Sequence, residues 1–234
     1  MMWLNSPRRR LLVSLLKLTA KGPAGINIVS SDSSVPLEIV DEFLARLAEE
    51  DLIEVVEGAV KASAEQRLRL STMAVKEGID LEHAYRYLVW GEFEDVAVLA
   101  LEANNFSTRK HFRFKTSARF EIDVLGFREP LVLSIDCKHW RKSWVRAAFA
   151  RAVKKQVNRS LEFAKFLSKS KKSLRICSWK RAVVMPVILT LSDAPLKVYE
   201  QVPIVAVFRL QDFLHDLPNY QRNLASFDVN METC

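Results

Sequence analysis

The chain has 234 residues, of which 49% are hydrophobic and 27% are charged. These values are typical of a folded globular protein and exclude wholesale disorder. The net charge of +7 favours an anionic partner, but residues 1–80 hold ten basic against twelve acidic side chains, so the positive excess belongs to residues 81–234.

Signals of several other protein classes are absent from the sequence. The three cysteines and four histidines are widely spaced, which predicts neither a disulfide framework nor a structural zinc site. No apolar stretch has the length needed to span a bilayer. Three arginines precede a leucine-rich run at residues 8–16, but Lys17 interrupts that run and its leucines have the spacing of an amphipathic helix. We therefore expect a cytoplasmic protein without a membrane partner.

The first eighty residues predict a small α+β domain. Residues 8–20 form its first helix, which Gly22-Pro23 ends. The polar segment 30–34 supplies caps for a second helix at about residues 36–50. The apolar stripe of that second helix consists of Leu37, Val40, Leu44 and Leu47.

A short β-hairpin around Glu57-Gly58 follows the second helix. Helix, capped helix and hairpin in this order are typical of a winged-helix-like domain, which we place at residues 1–80. A helix that reads DNA needs basic or amide side chains on its exposed face. The second helix instead presents acids against a single Arg46, namely Glu38, Asp41, Glu42, Glu49 and Glu50. We therefore expect this domain to mediate a homodimer or to dock a protein partner rather than to read a DNA sequence.

Residues 81–234 predict a second domain of the α/β class. Helices are expected at about 92–103, 144–168 and 210–216. Strands are expected at 110–115, 119–125, 131–138, 182–190 and 203–208, with a turn at Gly126–Pro130.

Two aspartates and a lysine lie on neighbouring predicted strands of this domain. Because side chains alternate along a strand, Asp136 and Lys138 project from the same face. If the strands 119–125 and 131–138 pair, Asp123 arrives beside Asp136. Charges on apolar strands are costly without a partner or a metal, which favours a functional site over a structural ion network in an unrelated domain. Two carboxylates can hold a divalent metal, and a lysine can offset transition-state charge, so the group predicts phosphodiester hydrolysis.

Asp123 followed by Asp136-x-Lys138 resembles the PD-(D/E)XK nuclease superfamily, in particular its Mrr-like and archaeal Holliday junction resolvase branch. The resemblance covers about residues 90–190 and implies a restriction-endonuclease-like mixed sheet flanked by helices. The sequence departs from the commonest form because no proline precedes Asp123 and because the acid at position 136 is Asp rather than Glu. The shorter side chain at 136 loses reach but keeps its chemistry.

The resemblance also implies a ligand set and a substrate. Mg²⁺, with Mn²⁺ as a substitute, would be held by Asp123, Asp136 and an acid of the preceding helix, while Lys138 completes the catalytic group. Glu94 best matches that helix acid, and Glu92 and Asp95 are its alternatives. DNA is the implied substrate. Two rival functions stay open, a non-catalytic DNA-binding regulator and a degenerate nuclease fold that only binds DNA.

The basic residues are concentrated after the motif. Between Lys138 and Arg181 the sequence holds fifteen basic residues and one acid, Glu162. This segment includes Arg141 and Lys142 and, spaced by four along the long helix, Arg151, Lys155 and Arg159. We expect these residues to bind the phosphate backbone of DNA. Gln156 either lies close to the active site, as in related nucleases, or is an ordinary residue of the helix surface.

Overall fold

The computed structural model describes residues 6–138, 146–170, 174 and 176–231. The chain divides into two compact units, Met1–Phe93 and Glu94–Cys234. The sequence placed this division at residue 80, earlier than it is observed. The difference arises because Ile79 and Ala84 are fully buried in the hydrophobic core of the first unit, so the segment after residue 80 belongs to that core.

The first unit combines helices with a three-stranded antiparallel sheet of order β1-β3-β2. Its elements are α1 (Pro7–Thr19), β1 (Ala24–Gly25), α2 (Ile26–Ser33), α3 (Leu37–Glu49), β2 (Glu54–Val56), β3 (Ala59–Lys61), α4 (Ala64–Lys76) and α5 (Leu81–Tyr85). Leucines of α1 provide much of its core, since Leu12, Leu15 and Leu16 are fully buried. Ser63 and Gln66 form the capping box that begins α4.

Two details of this unit differ from the prediction. Most of the polar segment 30–34, expected to cap the second helix, forms the end of α2. The hydroxyls of Ser31 and Ser33 donate to helix carbonyls one turn earlier, at 2.9 and 2.7 Å, which satisfies them inside the helix. Leu37, expected in the buried stripe of α3, is 39% exposed, whereas Val40, Leu44 and Leu47 are buried.

A buried ion pair joins several elements of the first unit. The guanidinium of Arg67 on α4 donates to the carboxylate of Glu92 at 2.6 Å, and both side chains are almost completely buried. The remaining guanidinium hydrogens go to the carbonyl oxygens of Leu16 and Tyr87 and to the hydroxyl of Thr19. Because every charged atom is compensated, this pair is tolerated in a core where a single charge would not be.

We predict that Glu92→Gln lowers the free energy of unfolding by about 3–5 kcal/mol, because the Arg67 guanidinium would stay buried without a counter-charge. Urea denaturation followed by circular dichroism measures this loss. The matched control is Glu65→Gln, the same substitution at an exposed position of α4. A Glu92→Gln protein with the urea midpoint of the control would contradict the prediction.

The second unit contains a mixed sheet, which confirms the α/β class. Its elements are α6 (Trp90–Ala103, which begins in the first unit), β4 (Ser107–Lys115), β5 (Arg119–Arg128), β6 (Leu131–Lys138), α7 (Arg146–Leu167), β7 (Arg181–Thr190), β8 (Val198–Tyr199), β9 (Val202–Ala206), α8 (Leu210–Tyr220) and β10 (Phe227–Asn230). The strand order is β4-β5-β6-β7-β9-β8, and β10 pairs with the start of β7. The β6–β7 and β7–β9 pairs are parallel and the others antiparallel.

Helices cover both faces of this sheet. Leu125 and Phe127 of β5 share a hydrophobic core with Phe163 of α7. Between them, Gly126 faces α6, where an added Cβ would lie 3.0 Å from a methyl group of Leu101. Neighbouring strand residues point to opposite faces, so α6 and α7 lie on opposite sides of the sheet.

The close approach of α6 also corrects the predicted turn at Gly126–Pro130. β5 continues through Gly126 to Arg128, and Leu131 already belongs to β6. The missing side chain at Gly126 allows close packing against Leu101 and does not mark a turn. Among the residues that the structure describes, no helix is both long and apolar enough to cross a membrane.

Candidate active site

Asp136 lies near the end of a strand that is buried on both faces. β6 runs between β5 and β7, and every residue of it except Lys138 is buried. The Asp136 side chain is only 3% exposed, yet two cations reach it. Lys138 Nζ lies 2.7 Å from one carboxylate oxygen, and Arg159 Nη1 lies 2.5 Å from the other. These contacts compensate a charge that would otherwise be costly to bury.

Gln156 holds the arginine in this position. Its side chain is fully buried and donates through Nε2 to the carbonyl oxygen of Ser134 on β6, at 2.6 Å. Its Oε1 accepts a hydrogen bond from Arg159 at 3.1 Å. Gln156 therefore links α7 to β6 beside Asp136, and the alternative of an ordinary helix-surface residue is wrong.

Arg159 corrects the predicted basic stripe of the long helix. Arg151 and Lys155 are exposed, as a phosphate-binding face requires. Arg159 is half-buried, and its guanidinium is held by Asp136 and Gln156. The four-residue spacing places Arg159 on the same side of α7 as Arg151 and Lys155. However, its guanidinium is directed toward Asp136 rather than toward solvent. The other expected DNA-binding residues, Arg141 and Lys142, lie outside the described residues.

Asp123 occupies an interruption of the sheet. The β4–β5 pairing omits Asp123 and the residue facing it, His111, whose φ of +49° is unusual for a residue with a side chain. Asp123 Oδ2 instead accepts a hydrogen bond from the backbone N–H of Cys137, at 2.8 Å. Burial raises the pKa of Asp123, and the neighbouring carboxylate of Asp136 adds to that rise.

Glu94 is the acid of α6 that joins Asp123. Ligand atoms of Glu94, Asp123 and Cys137 all lie within 4.8 Å of one another. The two alternatives from the sequence have other roles: Glu92 binds Arg67, and Asp95 pairs with Lys110 at 2.6 Å. The structure thus brings Glu94 and Asp123 together on one side of the strand end, with Asp136 held by its two cations.

Two residues of this region were missed by sequence reasoning. His111 Nε2 lies 3.2 Å from a carboxylate oxygen of Glu94, and Lys110 Nζ lies 3.9 Å from the same oxygen. Both residues precede the predicted motif and stand in a strand whose alternation predicted nothing unusual. The left-handed backbone at His111, which turns it toward Glu94, leaves no signal in the sequence.

The donor set fits a hard divalent cation. Glu94 and Asp123 offer carboxylate oxygens, the ligands that Mg²⁺ and Mn²⁺ prefer. Burial raises the pKa of the Cys137 thiol well above its ordinary value, so sulfur would stay protonated and not compete as a thiolate ligand. Two buried carboxylates this close repel each other, and a cation between them would relieve that repulsion.

Comparison with known proteins identifies relatives but no activity. An uncharacterized protein of Archaeoglobus fulgidus is 33% identical over 132 residues, which make up 56% of this chain and 93% of that protein. The chain therefore belongs to the same family as that uncharacterized protein. No family model matches the chain. A crystal structure of a protein from Vibrio cholerae aligns with a TM-score of 0.38 at 10% identity over 95% of this chain, which spans 56% of that protein's length.

We predict that Asp123→Asn makes the protein more stable at about pH 7, and that this gain disappears below about pH 4. A carboxyl whose pKa is raised by folding loses its proton more readily in the unfolded chain. It therefore destabilises the folded state once the pH rises above its ordinary pKa, and stops doing so where both states are protonated. Urea midpoints across this pH range, measured with EDTA, test the trend.

Asp212→Asn, at an exposed position of α8, is the matched control. An Asp123→Asn protein that is less stable than wild type at neutral pH would show that burial does not penalise this carboxylate.

Proposed function

We propose that the protein is a metal-dependent deoxyribonuclease of the restriction-endonuclease-like class that hydrolyses phosphodiester bonds in DNA. The observation that carries the proposal is the meeting of Glu94 and Asp123 beside Cys137 of β6, at the strand end that also carries Asp136 and Lys138. Glu94 and Asp136 are almost completely buried there, where a purely structural role would favour apolar residues. Burial raises the pKa of Asp123, and an acid with a shifted pKa in such surroundings is typical of a catalytic site.

Each residue has a role that its contacts support. Glu94 and Asp123 would hold Mg²⁺ or Mn²⁺, and Asp136 is the further carboxylate that the resemblance implies. Such an ion, when bound, polarises the scissile phosphate and supplies an activated water. Lys138 is 27% exposed at its side chain, so it can face both Asp136 and a substrate and offset the charge that develops on the phosphate. Arg159 and Gln156 position Asp136.

The N-terminal unit supports a separate role. The order of helix, strand, two helices and hairpin, with the sheet order β1-β3-β2, supports a winged-helix-like domain. The exposed positions of α3 include Glu38, Asp41, Glu42 and Glu49. Because phosphates repel such a face, we infer that this unit mediates a homodimer or docks a protein partner, in the cytoplasm, rather than reading DNA.

Asp136→Asn and Lys138→Ala should each lower the rate of DNA cleavage by about 10²–10³ while the protein stays folded, because the first removes a carboxylate of the proposed metal site and the second removes the cation that offsets charge on the phosphate. The assay uses Mg²⁺ or Mn²⁺ with linear, single-stranded, branched and methylated DNA. Asp212→Asn, which changes an exposed aspartate of α8, should cleave like wild type. Undiminished cleavage by purified, folded Asp136→Asn protein would exclude this active site.

A second candidate function is DNA binding without catalysis by a degenerate nuclease fold or a regulator. The engagement of both Asp136 oxygens by cations favours it, since those oxygens are then less available to a metal. In that case the wild-type protein would bind DNA and cleave none of these substrates with either cation. Cleavage that EDTA abolishes would exclude this candidate.

Substitution by alanine should affect DNA binding at one arginine of α7 and stability at another. Arg151→Ala removes an exposed charge, so it should weaken DNA binding and reduce the slope of log affinity against log salt by about 1, without loss of stability. Arg159→Ala removes a hydrogen-bonded partner of buried Asp136 and should cost about 1–3 kcal/mol of stability. Binding titrations over a salt series and urea denaturation give the two readouts. An Arg159→Ala protein that is fully stable but binds DNA more weakly would show that Arg159 binds DNA together with Arg151 and Lys155, as the sequence predicted.

A further inference from the structure

The β4–β5 hairpin carries an unusual set of charges on one face. Arg113 pairs across the strands with Glu121, and Lys115 pairs with Arg119. These positions lie two residues apart on each strand, so the four side chains share a face, here called the hairpin face. Two cations directly opposite each other destabilise an antiparallel pair, so Lys115 and Arg119 are a cost that folding alone does not explain.

This face borders a cleft of about 660 Å³, lined by Arg113, Phe114, Lys115, Arg119, Phe120 and Glu121. The Phe114 and Phe120 rings stack at 5.3 Å, and Phe114 also meets Phe163 of α7 edge to face. The end of the hairpin is thereby fixed on the body of the second unit. The strands that carry the charges around the cleft are therefore held in place by aromatic packing.

The cations of the hairpin face outnumber its acid. Glu121 accepts a hydrogen bond from Arg113 at 2.8 Å, and this contact lowers the pKa of Glu121. Within the part of the chain that the structure describes, Lys115 and Arg119 have no ion-pair partner. Both are exposed, so their charge is directed at solvent. The cleft thus presents an excess of positive charge, which suits an anion such as a phosphate backbone.

The hairpin face leads to the candidate active site. Arg119 precedes Asp123 by four residues on β5, about 13 Å along a strand. Contacts also connect the two places: His111 Nδ1 lies 3.6 Å from Glu121, and His111 Nε2 lies 3.2 Å from Glu94. A distance of 13 Å equals the rise of about four nucleotides along the axis of duplex DNA. A strand whose scissile phosphate reached Asp123 could therefore also reach Lys115 and Arg119.

We propose that the hairpin face is a phosphate-binding track that holds the DNA backbone on one side of the scissile bond. This inference rests on the proposed function, because it places the substrate of the same site. It adds a binding element that the basic segment 138–181 does not include.

The test is the double variant Lys115→Ala/Arg119→Ala. Binding of short fluorescein-labelled DNA, single-stranded and duplex, is followed by fluorescence anisotropy in EDTA over a salt series. We expect affinity to fall by roughly tenfold and the salt slope to decrease by about 2, since each phosphate contact contributes nearly one unit. In a Mg²⁺ cleavage assay KM should rise with kcat unchanged, which is the pattern of a group that only binds.

The matched control is Lys197→Ala/Arg222→Ala, which removes one lysine and one arginine at exposed positions of the second unit outside the basic segment 138–181. The hairpin variant should keep or raise the wild-type Tm, because it removes a pair of like charges. Affinity and slope equal to those of the control would overturn the track. A wild-type protein that does not bind DNA in EDTA would overturn it as well.

The binding assay in EDTA separates the two proposals. If the wild-type protein cleaves nothing but the hairpin variant binds DNA more weakly than the control, the nuclease assignment fails and the track stands. If the wild-type protein cleaves DNA and the hairpin variant matches the control in affinity, slope and KM, the track fails and the nuclease assignment stands.

Discussion

The need to compensate one buried carboxylate organises the second unit. Asp136 stands near the end of a strand that is covered on both faces, where an isolated charge would be prohibitively costly. Lys138 comes from the same strand, but Arg159 must come from α7. Arg159 reaches Asp136 only if α7 packs on the sheet with Gln156 against Ser134. The side-chain amide of Gln156 fixes this packing, because it donates to the Ser134 carbonyl oxygen and accepts from Arg159. The position of α7 on the sheet therefore depends on the same contacts that compensate the charge of Asp136.

The charges at the strand end form two groups with different needs. Asp136 has two close counter-charges, Lys138 and Arg159, whereas ligand atoms of Glu94 and Asp123 lie within 4.8 Å of each other. Burial raises the pKa of Asp123, and the charge of Asp136 adds to that rise. A hard cation between Glu94 and Asp123 would relieve their repulsion, which is the physical basis for proposing a metal-dependent hydrolase here rather than a structural ion network.

Local patterns predicted the elements well where one physical cause acted alone. The apolar spacing of α1 depends on neighbours in the sequence, and it was readable from them. Errors occurred where a distant segment competed with the local signal. Gly126 looks like a turn residue, but its lack of a side chain leaves room for Leu101 of α6 to pack against β5. A separate error was local: the serines of 30–34 look like caps, but most of them form the end of α2.

The sequence by itself determined the α/β class and the placement of Asp123, Asp136 and Lys138 on neighbouring strands, because strand alternation and spacing are local properties of the chain. It left the helix acid open among Glu92, Glu94 and Asp95, and it counted Arg159 among the exposed cations. Only the tertiary structure decided these points, since burial and pairing depend on residues far apart in the chain. Glu92 forms an ion pair with Arg67, and Arg159 forms one with Asp136. A buried charge needs a partner, and the fold decides which oppositely charged residue lies close enough.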